Sequence, residues 1–197
     1  MSPRPAVQEG RDGQRERILE AFEERARAQG PRGVVMAELA RDLGMSTRTL
    51  YQHFGSKAEI VHEIVARWAS DMDEQQRLRM AGGEPAAERV IAAAADWITG
   101  QDRFSDAFWQ QLVHDFPDAS RVLADQIGRS VAAARETFGP DLRPDLDPEL
   151  ALSLLKSAIR HALDPKRCDR LGISRREAVR QSVELWCRGA LRSEAAA

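Results

Sequence analysis

The chain has 197 residues, 43% of them hydrophobic, enough to bury one large core or two small ones. A formal net charge of −2 and a sequence pI near 6.1 are unusual for a protein that grips nucleic acid through overall basicity. The charge is uneven, though, with ten Lys/Arg against eight Asp/Glu in residues 1–57 (+2) and 19 against 23 in residues 58–197 (−4), so any such affinity rests on where the basic groups point. No apolar run approaches the ~18 residues that cross a bilayer, and the start MSPRPAVQEGRDG shows no signal-peptide core. Cys168 and Cys187 form no CxxC pair. A soluble, cytoplasmic protein with free thiols and no membrane partner is expected.

In chain order, residues 1–12 read as a disordered tail, 13–57 as a helix-turn-helix DNA-binding domain and 58–193 as a second helical domain, giving an all-α fold. The most informative stretch is 36–57, MAELARDLGMSTRTLYQHFGSK. Leu39, Ala40 and Leu43 fall three and four apart on one face of a short helix, with Glu38, Arg41 and Asp42 on the other. Gly44 can take the left-handed conformation that ends it, and Ser46 restarts the chain as an N-cap. The second helix, 47–53, turns Leu50 and Phe54 back towards the first and leaves Thr47, Arg48, Thr49 and Gln52 outward. Two helices around a short glycine turn place the second in the major groove, where Arg pairs with guanine, Gln with adenine, and Thr offers a hydroxyl and a methyl. Ser56-Lys57-Ala58-Glu59 has the form of a capping box, which puts Lys57 in the first turn of a third helix. A cation there opposes the helix dipole; it suits either a DNA phosphate approaching the helix end or plain solvation.

The run Gly44-Met45-Ser46-Thr47-Arg48-Thr49-Leu50-Tyr51-Gln52-His53-Phe54-Gly55-Ser56-Lys57 resembles the N-terminal signature of the tetracycline-repressor (TetR) family of bacterial regulators, and the likeness extends through Ile18, Leu19, Ala21, Phe22 and Gly30 upstream and Ile60 downstream. The resemblance implies that Tyr51, His53 and Lys57 contact phosphates and that Thr47, Arg48 and Gln52 face bases, with Ser46 and Thr49 beside them. Four positions depart from the family pattern. Arg48 stands where a small residue is usual, Val35 where Thr or Ser caps the first motif helix, Pro31 where an aromatic stands, and Ala26 where a large apolar residue does.

Downstream, residues 57–80 form a long helix carrying Ile60, Ile64, Val65, Trp68 and Met72, broken at Gly82-Gly83-Glu84-Pro85. Residues 86–99, 104–115 and 120–138 supply three more, punctuated by Gly100, Pro117 and Gly139-Pro140. Asp147-Pro148 is an N-cap with proline in first position, opening a helix over 149–163 that is apolar on more than one face. A capping box at Ser174 opens another over 174–191, with Ala178, Val179, Val183, Trp186 and Ala190 at helical spacing. Helices apolar beyond one stripe bury a second face either inside one subunit or against a partner. The family resemblance implies the latter, a homodimer through the two C-terminal helices packed as a four-helix bundle.

Trp68, Met72, Trp97, Phe104, Phe108, Trp109, His114 and Phe116 form an aromatic, methionine-containing set. Singly, each fills a core at helical spacing; together, and by the resemblance, they are candidates for a pocket holding a small-molecule effector. Catalysis finds no footing. His62-Glu63-Ile64-Val65-Ala66 lacks the second histidine of a zinc motif, and Asp141, Asp145 and Asp147 lack the glycine and closing glutamate of a calcium loop. No phosphate loop, nucleophile elbow, metal site or cofactor motif is expected. The resemblance therefore implies a ligand-responsive homodimeric repressor on a near-palindromic double-stranded DNA operator. The alternative is a helix-turn-helix protein that organises DNA, or binds a small molecule, without regulating a promoter.

Overall fold

The computed structural model describes residues 6–162 and 164–192, all helix, turn or loop apart from a single isolated bridge. Its helices are α1 (Ala6–Gln29), α2 (Met36–Asp42), α3 (Thr47–His53), α4 (Lys57–Met80), α5 (Ala86–Gln101), α6 (Asp106–Asp115), α7 (Pro117–Phe138), α8 (Pro148–Ala162), α9 (Pro165–Leu171) and α10 (Arg175–Ala190). None of them is long and apolar enough to cross a membrane. Helix α1 corrects the expected tail: residues 6–12 are helical, and residues 1–5 lie outside the described residues. The apolar pattern begins only at Ile18, so the polar first turns, built from good helix formers such as Gln8, Glu9 and Arg11, carry no periodicity to read. Leu163 and Ser193, the expected ends of α8 and of the second domain, also fall outside the described residues.

The chain divides into two compact units, one of residues 1–69 and 102–125, the other of 70–101 and 126–197. The expected boundary at residue 57 is therefore drawn differently: α6 groups with the helix-turn-helix although it follows it by more than fifty residues. In the first unit Ile18, Leu19, Phe22, Leu39, Leu50, Phe54, Ile60 and Trp68 are buried, joined by Phe104, Phe108 and Leu112 from α6 and the residues before it. Ser105 caps α6 by accepting the Phe108 N–H at 3.3 Å, and its own N–H donates to the Arg27 carbonyl at 2.9 Å, tying α6 to the end of α1.

In the second unit Val90, Ala94 and Ile98 of α5, Ala151 and Leu155 of α8, and Val179, Val183 and Cys187 of α10 share one core. The Asp147 carboxylate accepts the Leu150 N–H at 2.9 Å, and the Ser174 hydroxyl accepts the Glu177 N–H at 3.1 Å, so both expected caps form. Trp186 is half-buried and its indole Nε1 donates to the Ala151 carbonyl at 2.8 Å, clamping α10 to α8. The segment after α7 pairs with the segment after α10 through Arg143 N–H to Ala190 O and Arg192 N–H to Asp141 O, each 2.9 Å.

Candidate nucleic-acid interface and an apolar cavity

The reading element is fixed by its two ends. Helix α2 stops in a Schellman arrangement: the Met45 N–H donates to the Ala40 carbonyl at 2.9 Å and the Gly44 N–H to the Arg41 carbonyl at 3.0 Å, with Gly44 at φ +69. Ser46 then caps α3, accepting the Thr49 N–H at 3.0 Å. Leu50 and Phe54 are fully buried, which sets the rotation of α3 and turns Thr47, Arg48, Tyr51 and Gln52 to solvent. The Arg48 side chain makes no hydrogen bond or ion pair among the described residues. Val35 does stand at the N-cap of α2 and supplies no side-chain cap, as its chemistry dictates.

The other sequence candidates are partly occupied. The Thr49 hydroxyl lies 2.8 Å from that of Ser46, inside the cap rather than outward. The His53 Nε2 is 2.8 Å from Gln14 Oε1, and because a carbonyl oxygen only accepts, Nε2 carries the proton. Its Nδ1 is buried without a partner. Burial first, then the charges of Arg11 and Arg15, push the His53 pKa below the ordinary histidine value. The Lys57 ammonium donates to the Pro31 carbonyl at 3.1 Å and the Arg32 carbonyl at 3.4 Å, and its partial burial lowers its pKa. The capping box forms with one change: Ser56 accepts the Glu59 N–H at 3.1 Å, whereas the Glu59 carboxylate reaches back to the Gly55 N–H at 2.8 Å.

Sequence reading passed over α1. A groove beside α3 is lined by Gly10, Arg11 and Gln14 together with Thr49, Gln52 and His53. The spacing of Arg11, Gln14 and Arg15 puts them on one helical face, a signal that the expected tail boundary at residue 12 cut in two. Arg15 holds the arrangement together: it donates to the His53 carbonyl, pairs with Glu63, and lies 4.0 Å over the Phe54 ring.

The second unit contains a cavity of about 440 Å³ bounded by the end of α4, α5, α7 and α8. Of the ligand candidates, Met72 and Trp97 line it. The others do not. Trp68, Phe104, Phe108 and Trp109 pack on one another in the first unit, with Phe104 stacked on Phe108 at 4.1 Å and Trp68 edge-on to Trp109 at 5.1 Å. His114 is exposed near the end of α6. Phe104 precedes the Ser105 cap of α6, Phe108 and Trp109 lie on α6 and Trp68 on α4, and their rings pack on one another away from the cavity.

Residues 18–64 match the sequence profile of the bacterial regulatory proteins of the tetR family. Residues 18–64 are a TetR-family helix-turn-helix domain. Solved structures carry the likeness of fold over nearly the whole chain. A Mesorhizobium loti protein assigned to the TetR-family transcriptional regulators is 18% identical, with a TM-score of 0.67 over 92% of this chain and 98% of its own. SmeT, the repressor of the Stenotrophomonas maltophilia multidrug efflux pump SmeDEF, is 16% identical, with a TM-score of 0.67 over 93% of each chain. A Saccharomonospora viridis protein assigned as a transcriptional regulator and solved with choline is 19% identical, with a TM-score of 0.70 over 92% of this chain and 100% of its own. No curated protein sequence matched significantly.

Proposed function

We propose that the chain is a homodimeric, ligand-responsive transcriptional repressor that binds a near-palindromic operator. The observation that carries this reading is the exposed face of α3, where Thr47, Arg48, Tyr51 and Gln52 project from a helix pinned at both ends. In this reading Arg48 and Gln52 address base edges, Tyr51 and the remaining N–H of Lys57 meet phosphates, and His53 does so if it gives up Gln14. In a symmetric pair the two reading helices address half-sites about 34 Å apart or a multiple of it. In this reading the cavity in the second unit is the effector site, and the neighbour solved with choline supports a small-molecule trigger. Release follows if the effector favours a conformation that binds DNA less well.

Selection of operators from random DNA, followed by titration of operator and scrambled duplex over a range of salt, tests the proposal. Wild-type protein should prefer the operator by 10³-fold or more, on the order seen for specific regulators. Arg48→Ala should reduce that ratio roughly 5- to 100-fold. Equal salt-corrected affinity for both duplexes would overturn the proposal.

A further inference from the structure

We infer that the cavity takes an uncharged molecule with an apolar body and one hydroxyl or N–H group, which it donates to Gln126. The inference rests on the effector-binding reading and names the chemistry of that effector. Met72, Met80, Trp97, Phe138 and Leu155 make most of the wall hydrophobic, which selects an apolar body. Gln75 and Gln76 of α4 and Gln126 and Ser130 of α7 are the uncharged polar groups in the wall. Gln126 lines the cavity at 1% exposure; its Nε2 donates to the Ser130 hydroxyl at 2.8 Å, and its Oε1 accepts no hydrogen bond. The Ser130 carbonyl is already engaged by Gln76 Nε2 at 3.0 Å. A buried acceptor without a protein partner is where a new hydrogen bond gains most, because no neighbouring side chain or backbone group competes with the incoming donor.

Charge on the ligand finds no comparable site. The Asp96 carboxylate is held by the Arg79 guanidinium through two hydrogen bonds of 3.0 Å, and Asp164 is exposed and engaged elsewhere. A cation therefore meets no free carboxylate. Lys156 and Arg160 also line the cavity, but both are exposed, where water and salt screen an ion pair. An anion gains little there against the desolvation of its head group.

Titration calorimetry of the full chain with four probes tests the inference: 1-decanol, decyl methyl ether, decanoate and choline. The alcohol and the ether share an apolar body, and only the alcohol donates. Decanol should bind on the order of tenfold more tightly than the ether, the difference expected for one buried hydrogen bond. Gln126→Leu should bring the two within about twofold. The wild-type pair decides the matter even if the variant does not fold. Equal affinity for alcohol and ether, tighter binding of decanoate or choline than of decanol, or no binding of any probe overturns the inference. These readings involve no DNA. Selective decanol binding without operator release upholds the inference while refuting ligand-responsive repression.

Discussion

Gly30 offers the sharpest test of how the first unit is built. It sits between α1 and the turn before α2 at φ 78, ψ 166, a region open essentially to glycine. A Cβ built there would lie 2.5 Å from Gln111 Oε1 and 2.7 Å from its Cδ and Nε2. That amide oxygen accepts the Arg32 N–H at 2.8 Å. Gly30→Ala therefore carries two penalties. Backbone strain costs about 1–3 kcal/mol, and pushing the Gln111 amide aside forfeits a hydrogen bond worth about 1 kcal/mol. The lower entropy of alanine in the unfolded chain returns roughly 0.4–1 kcal/mol, leaving a net loss of about 1–3.5 kcal/mol. With a urea slope of about 2 kcal/mol/M, the midpoint should fall by about 0.5–1.8 M. The assay is urea unfolding followed by fluorescence in a background with Trp97 and Trp186 replaced by Phe, so that Trp68 and Trp109 report the first unit. Gln111→Ala separates the contributions: if strain dominates, Gly30→Ala still costs at least about 1 kcal/mol in that background. A midpoint shift below about 0.2 M, or complete rescue by Gln111→Ala, would refute the reasoning.

Three further outcomes are expected. His53 is held below the ordinary histidine pKa of about 6.5, so the unfolded chain binds more protons and its contribution to stability declines as pH falls through and below that value. A phosphate beside it would reverse the shift, so operator affinity should rise between pH 7.5 and 6, with a smaller rise in His53→Gln; identical pH profiles at constant salt would exclude a phosphate contact. Leu150, Leu154 and Leu185 are 59%, 56% and 74% exposed on α8 and α10, so Leu154→Glu should convert a dimer to monomer in sedimentation equilibrium, and an unchanged mass would move the interface elsewhere. Burial pushes the Cys187 thiol up to about 11, and Cys168, also buried, donates to the Ala162 carbonyl at 3.2 Å. Both should resist a disulfide reagent at pH 8 until urea unfolds the chain, and prompt labelling of the native protein would contradict their packing.

What was legible in the sequence was local. Gly44, Ser46, Asp147 and Ser174 announce turns and caps because each acts on backbone groups within a few residues, and all four act there as read. The aromatic set was readable as buried but not as to where, since Trp68 meets Trp109 across forty residues of chain and neither position encodes its partner. The start of α1 and the short α9 lack an apolar stripe long enough to register. Lys57 read as a surface charge or phosphate contact, and only folding shows its ammonium on the Pro31 and Arg32 carbonyls. The Gln126 acceptor was equally invisible, because sequence shows a polar side chain but not whether it finds a partner.

The grouping of α6 with the reading helices has an architectural consequence. The polypeptide departs that unit after Ala69, builds part of another, and comes back at Asp102 to supply Phe104, Phe108 and Leu112. A gene fragment ending at Ala69 would encode the whole of α3 yet leave Trp68 without Trp109. The helix-turn-helix unit is thus no detachable cassette, and grafting it onto a foreign protein requires carrying α6 along.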